Sequence, residues 1–197
     1  SGLINHVSDW VLEEACRQIQ GWSKSGQKLK VAVNMSSKDI QAEGFNEKLF
    51  RVIEQYEISP QMLELEITES TLMENPEDLE GDLNALRSMG LTLAIDDFGS
   101  GFSSLNYLKR LPVDILKIDR MFIRDLDKDE NDKAIVTGIV ALATSLGLKT
   151  VAEGVETEYE YHLLQDLGCD SCQGYYFSKP IPAADFEAKY FKQEVRA

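Results

Sequence analysis

Asp96 and Asp97 stand side by side at the end of an apolar run, Leu91 to Ile95, and the turn Gly99-Ser100-Gly101 follows at once. At about 4 Å, two like charges cost about 4 kcal/mol at an effective dielectric near 20, and each also loses water at the end of a buried strand. A divalent cation held between them removes that penalty, and hard oxygen ligands suit magnesium or manganese. Taken alone, the pair reads better as a polar turn with helix-capping acids. The case for a metal needs the pattern to recur.

It recurs along the whole chain. Six apolar strand signals end in Asn34, Glu66 with Glu69, Asp96 with Asp97, Lys117 with Asp119, Glu153 with Glu156, and Gln173. In parallel α/β architectures, functional groups gather at the carboxyl ends of strands. An all-oxygen donor set of this kind matches magnesium or manganese rather than zinc. Two such ions about 4 Å apart would clamp a phosphodiester and activate a water at neutral pH. Lys117 could orient that water, or form a buried ion pair with Asp96, Asp97 or Glu153; the two roles are compatible.

The elements that must position these groups alternate regularly. Apolar periodicity predicts helices over about 9–22, 40–56, 79–89, 104–110, 134–146, 159–167 and 183–191. Strands are expected over 29–34, 62–67, 91–97, 115–119, 149–155 and 172–177, and the charged stretch 127–133 reads as a solvated loop. Gly90, Gly147 and Gly168 each close a helix before the next strand. Helix-strand alternation implies parallel strands buried on both faces, with helices outside. Six strands could build an open doubly wound sheet. A (β/α)8 barrel needs about 250 residues and eight strands, so this chain would be a barrel lacking its start.

Composition narrows the function. The chain of 197 residues is 43% hydrophobic and carries a formal charge of −14, which fits one globular domain and argues against a DNA or RNA surface. A small phosphate ligand remains compatible if metal ions supply positive charge locally. No apolar run approaches the ~20 residues of a membrane span, and no signal peptide is seen. With only His6 and His162, histidine-cluster metallohydrolases are unsuited. Three sparse cysteines suggest a reducing cytoplasm; Cys169 and Cys172 have C-x-x-C spacing, but without a second pair they read as ordinary buried thiols. Asp97-Phe98-Gly99 echoes the kinase metal-binding tripeptide without its glycine loop or His-Arg-Asp partner. Phe98 and Phe102 read as loop anchors.

Several long stretches resemble the EAL domain family of bacterial cyclic di-GMP phosphodiesterases. They are Val33 to Ser36, Glu64 to Ser70, Ala94 to Gly99, Leu116 to Arg120, Val151 to Thr157 and Gln173 to Tyr175, in the family's order. The resemblance implies a modified (β/α)8 barrel that hydrolyses cyclic di-GMP to linear pGpG with two divalent cations, Mg2+ or Mn2+. By motif, Asn34, Glu66 and Asp96 resemble ligands of one metal; Asp96, Asp97 and Glu153 resemble those of the other. Lys117 resembles the residue that contacts the attacking water, beside the catalytic carboxylates Asp97 and Glu153. Glu69 resembles a brace for the loop after Asp97, Gln173 (with Asn34) a substrate contact, and Glu156 an outer support. Ser100 and Phe102 stand where the family usually has Thr and Tyr.

The Glu-Ala-Leu motif that names the family does not occur in these residues. The expectation is therefore a single EAL-type domain over 1–197 that lacks its first two strands. About six parallel strands would be present, and activity would be impaired. Bare strand edges invite pairing with another chain, so self-association or a homodimer is expected. The resemblance further implies an upstream sensor or GGDEF domain in the full protein. The location would be cytoplasmic, with any membrane tether lying outside this chain. The alternative is a cyclic di-GMP receptor that binds without cleaving.

Overall fold

The second strand shows in six residues how this sequence builds a sheet. Leu63-Glu-Leu-Glu-Ile-Thr68 alternates apolar and polar, so a pleated strand must put Leu63, Leu65 and Ile67 on one face and Glu64, Glu66 and Thr68 on the other. The computed structural model describes residues 2–74, 76–101 and 105–191. Its strands are β1 (Val31–Asn34), β2 (Leu63–Thr68), β3 (Thr92–Phe98), β4 (Ile115–Ile118), β5 (Lys149–Glu153) and β6 (Ser171–Gln173). All neighbours pair in parallel, in the order β1-β2-β3-β4-β5-β6.

That order decides between the two architectures the alternation allowed. A doubly wound sheet reverses its strand order midway, whereas sequential parallel strands joined by right-handed crossovers place every helix on one face. The sheet is a curled half-barrel of six parallel strands, an incomplete (β/α)8 barrel. The core lies between sheet and helices: Leu63, Leu65, Ile67, Leu93, Ile95, Leu116 and Ile118 are 0% exposed. Fully burying each such side chain contributes about 2 kcal/mol. The other face is not apolar. Glu66, Asp96 and Lys117 line it, and Asn34, Ser171 and Gln173 on the outermost strands are exposed. The expected burial on both faces therefore holds for the central strands β2, β3 and β4, and fails at the outer strands β1 and β6.

Helices α1 (Gly2–Lys24), α3 (Phe45–Gln55), α5 (Pro76–Ser88), α7 (Glu130–Leu146), α8 (Glu158–Asp166) and α9 (Ala183–Tyr190) flank the sheet. Short helices α2 (Ser37–Ile40), α4 (Glu69–Glu74) and α6 (Leu105–Leu108) sit in the connections. α1 turns Leu12, Ala15, Cys16 and Ile19 inward, and α7 turns Val136, Ile139, Val140 and Ala143, both at helical spacing.

Several boundaries differ from the sequence expectation, α1 starting at Gly2 rather than near 9 among them. The helix expected over 40–56 is two, because Gly44 adopts φ +76 between α2 and α3. α4 arises from a stretch expected as a polar strand end. The charged stretch 127–133 is loop only to Asp129, which caps α7 by accepting from Asn131 N at 2.8 Å. β6 ends at Gln173 rather than continuing to 177. Residues 102–104, with Phe102 and the start of the expected helix 104–110, lie outside the described residues.

The cysteines differ too. Only Cys16 is buried, and burial pushes its thiol up to about 11. Cys169 and Cys172 are half-buried neighbours, and a hydrogen bond from Cys172 draws the Cys169 thiol down to about 6.

The end of β6 is fixed by close packing. Val155 N donates to Gln173 O at 3.1 Å, and Tyr176 N donates to Val155 O at 2.9 Å. A Cβ at Gly174 would lie 2.1 Å from Val155 O and 2.3 Å from Val155 N, so only glycine fits. Gly174→Ala is expected to lower unfolding stability by about 3 kcal/mol in a urea melt. A loss below about 0.5 kcal/mol would contradict this account of the β5–β6 junction.

Candidate metal centre and ligand groove

Strand register carries most of the site. Asn34 lies opposite Glu66 in the β1–β2 pair, and Glu153 opposite Gln173 in the β5–β6 pair. Side chains at facing positions of paired strands share a face, so these four project toward the inside of the half-barrel at its carboxyl rim. Asp96, opposite Thr68, joins them from β3.

Asp97 should not join them, because successive residues of a regular strand point to opposite faces. The β3–β4 ladder is interrupted between Ile95 and Phe98, so that Asp96 and Asp97 together face Lys117. Asp97 also adopts φ 53, a left-handed conformation that aspartate tolerates better than most residues. This bulge swings its side chain back toward the rim. Oxygens of Asp96, Asp97 and Glu153 all lie within 4.8 Å of one another.

Lys117 stands at the centre. Its Nζ is 2.7 Å from Glu66 Oε1, 2.8 Å from Glu153 Oε1 and 2.9 Å from Asp96 Oδ1. The lysine is 3% exposed, Glu66 6% and Asp96 8%. Asp96 Oδ1 is close enough to pair electrostatically but is poorly aligned for a hydrogen bond, so it remains a buried acceptor without an aligned donor. Burial alone would lower the Lys117 pKa. The carboxylates of Glu153, Glu66 and Asp96 outweigh it and hold the ammonium well above its usual range. Burial raises Glu66 and Glu153 above ordinary carboxylate values, with Lys117 offsetting part of the rise. Asp97 is raised by burial and then by the charges of Asp96 and Asp119, against the opposing fields of Lys117 and Arg120.

The loops carry the remaining predicted residues. Glu69, 1% exposed at the start of α4, accepts from Gly99 N at 2.7 Å and so ties the β2 loop to the turn after Asp97. Ser100 folds back and its hydroxyl donates to Asp97 O at 2.7 Å. Glu156 N and Thr157 N donate to Glu160 Oε2 at 2.7 and 3.1 Å, a capping box that shapes the loop after β5.

A groove of about 810 Å³ opens beside the rim, lined by Glu153, Glu156 and Gln173 but also by Arg120, Met121, Arg124 and Tyr175. None of these last four was singled out from the sequence. Arg120 and Tyr175 did fall in the motifs Leu116 to Arg120 and Gln173 to Tyr175; the groove-facing position of all four follows only from the fold.

Three carboxylates within reach of one point, a buried oxygen on one of them without an aligned donor among the described residues, and a purely oxygen donor set fit a hard divalent cation. The class defined is a barrel-type α/β protein with an acidic rim able to hold such a cation beside a ligand groove. The profile of the EAL domain family matches residues 1–180. The chain is 46% identical over 184 residues to the bifunctional diguanylate cyclase/cyclic di-GMP phosphodiesterase MucR of Pseudomonas aeruginosa, covering 93% of this chain and 27% of that protein. It is 36% identical over 197 residues to the cyclic di-GMP phosphodiesterase PdeR of Escherichia coli, covering 100% of this chain and 30% of that protein. The chain thus spans about a quarter to a third of the length of these curated relatives.

Solved structures agree. The MucR phosphodiesterase complexed with cyclic di-GMP superposes with a TM-score of 0.90 at 45% identity, over 94% of this chain and 75% of that one. The EAL domain of Mycobacterium smegmatis DcpA gives 0.91 at 36%, over 98% and 88%. Klebsiella pneumoniae BlrP1, solved with manganese and cyclic di-GMP, gives 0.82 at 31%, over 89% and 45%. This chain belongs to the EAL domain family.

Lys117→Met, which leaves the carboxylates without their counter-charge, is expected to destabilise the protein by about 3–5 kcal/mol. The loss should grow with pH. A carboxyl whose folded pKa is raised supports folding below its unfolded value and loses that support as pH rises through the folded one. Glu66 and Glu153 are already raised, and would rise further without the ammonium. Urea melts at about pH 5 and about pH 8 measure this, and an equal loss at both would contradict it.

Proposed function

We propose that this chain is the catalytic module of a metal-dependent phosphodiesterase that hydrolyses cyclic di-GMP to linear pGpG. The observation that carries the reading is the convergence of Asp96, Asp97 and Glu153, oxygen to oxygen within 4.8 Å, around Lys117 at the mouth of a groove ending in Gln173. The family relation and relatives with cyclic di-GMP phosphodiesterase in their names support the substrate.

Asn34, Glu66 and Asp96 would hold one Mg2+ or Mn2+, and Asp96, Asp97 and Glu153 a second, with Asp96 shared. When bound, such ions supply electrophilic activation of the phosphoryl group and acidify water. The chain's own residues do the rest. The Lys117 ammonium donates a hydrogen bond to the attacking water and orients it in line with the scissile bond. That water adds to phosphorus as the P–O3′ bond breaks, and the proton it gives up passes to the 3′ oxygen, leaving a 5′ phosphate on the linear product. Gln173 and Asn34 hold the nucleotide through their amides. Glu69 keeps Asp97 in place through Gly99 and Ser100, and Glu156 shapes the loop that carries Glu153.

A second reading is a receptor that binds cyclic di-GMP without cutting it. One observation favours it: Lys117 already pairs with three of the carboxylates a metal would need. We place either activity in one EAL-type domain over 1–197, impaired in isolation, in the cytoplasm and beside a sensor or GGDEF domain. No helix of the described residues is long and apolar enough to cross a membrane. Self-association would run through the outer edges of β1 and β6, which have no strand partner among the described residues.

Chromatography with manganese present is expected to detect pGpG, abolished by a chelator and lowered at least about 1000-fold by Asp96→Asn. Tight binding without pGpG would select the receptor. Light scattering is expected to give a mass above that of one chain; a strictly monomeric protein would remove the edge-pairing proposal.

A further inference from the structure

We propose that Arg120 and Arg124 form an anion subsite that takes the phosphodiester not being cut, a role that rests on the cyclic dinucleotide reading above. The ligand carries two phosphodiester charges. The acidic rim and its cations serve the one being cleaved; the other enters a chain whose net charge is −14 and needs a positive partner of its own.

Two cations in the groove are free to supply it. Arg17, Arg87 and Arg110 are paired with carboxylates on the surface, and Arg51 donates to a backbone carbonyl. Arg120 and Arg124 line the groove with no carboxylate in ion-pair range among the described residues. Of the nearby acids, Glu153 is engaged with Lys117, Glu160 with the amides of Glu156 and Thr157, and Asp119 with Met121 N at 2.9 Å; Glu156 shares the groove lining and Asp97 feels the Arg120 charge, but neither is in ion-pair range of the arginines among the described residues.

Placement is built in. Arg124 N donates to Arg120 O at 3.1 Å, a single helical turn that puts the two side chains on one face. Gly154, at φ +74, lets Arg120 press against the loop after β5: a Cβ there would sit 2.6 Å from Arg120 Cβ. The base of the Arg120 side chain is thereby packed against the loop that follows Glu153. Two planar forks suit a phosphate with several acceptor oxygens.

The test is calorimetric binding of cyclic di-GMP in Ca2+ at two salt concentrations, with steady-state kinetics in Mn2+, for the wild type and two double variants. R120Q/R124Q is expected to raise Kd and KM by roughly tenfold or more while kcat changes little. Its log Kd should also depend less steeply on log salt. R120K/R124K, which keeps the charge but not the fork, should lose only part of that affinity and keep the wild-type salt slope. Both side chains are exposed, so the melting temperature should stay near that of the wild type. Unchanged affinity and salt slope in R120Q/R124Q overturn the subsite alone. A lysine variant as weak as the glutamine one overturns its assignment to phosphate in favour of a base-edge contact. A wild type that binds no cyclic di-GMP overturns the substrate reading and the subsite with it.

Discussion

One ammonium among three carboxylates is the constraint around which this molecule is arranged. Glu66, Asp96 and Glu153 come from three different strands, and each would be costly to bury charged and alone. Lys117 lets them coexist, and in doing so it fixes the relative height of β2, β3, β4 and β5 at the rim. Its charge does not complete the site: three negative charges face one positive, and a buried Asp96 oxygen still lacks an aligned donor. That residual negative field gives a cation a reason to enter. The same lysine that steadies the carboxylates can then turn its hydrogen bonds toward a water.

The geometry of the pair Asp96-Asp97 depends on a departure from regular strand structure. A flat continuation of β3 would send Asp97 into the apolar layer with Leu93 and Ile95. The bulge and the left-handed backbone at Asp97 bring it to the rim instead. Strain of this kind persists only where neighbours over-determine it. Here Gly99 N is held by Glu69 and the Ser100 hydroxyl by Asp97 O, so the turn is tied to a second element and to itself. Glu69 acts on the centre through the backbone, by holding Gly99 N.

Stability and chemistry are divided between the two faces of one sheet. The outward layer of Leu, Ile and Val packs under the helices and is nearly inaccessible to water. The inward face carries Ala94, Ile115 and Val151 together with the Glu, Asp, Lys, Asn and Gln of the rim, whose positions follow from the pleat once the outward apolar residues are buried. A change that costs packing on one side can therefore leave the charge pattern on the other intact. The groove extends this polar face past the rim to the arginines on the turn after β4.

Six strands, their parallel sense and the strand-end residues were all legible in the chain, because alternation, glycine stops and polar termini are local signals. The long motifs, Glu64 to Ser70 and Ala94 to Gly99 among them, pointed to the family for the same reason. Other features depended on contacts between distant residues. Strand order came from which strands pair, which settled the barrel over the doubly wound sheet. The split at Gly44 and the early end of β6 reflect one backbone angle and one close approach to Val155, neither encoded in periodicity. The presence of Asp97 at the rim needed a bulge, and the choice of Lys117 as shared partner needed three strands to be brought within 3 Å of one nitrogen. Arg120 and Arg124 looked like any surface arginines until the fold set them, unpaired, in the groove. Residue type and spacing thus determined which groups were available for chemistry; only the assembled sheet decided which of them meet, because charge pairing and close approach act through space.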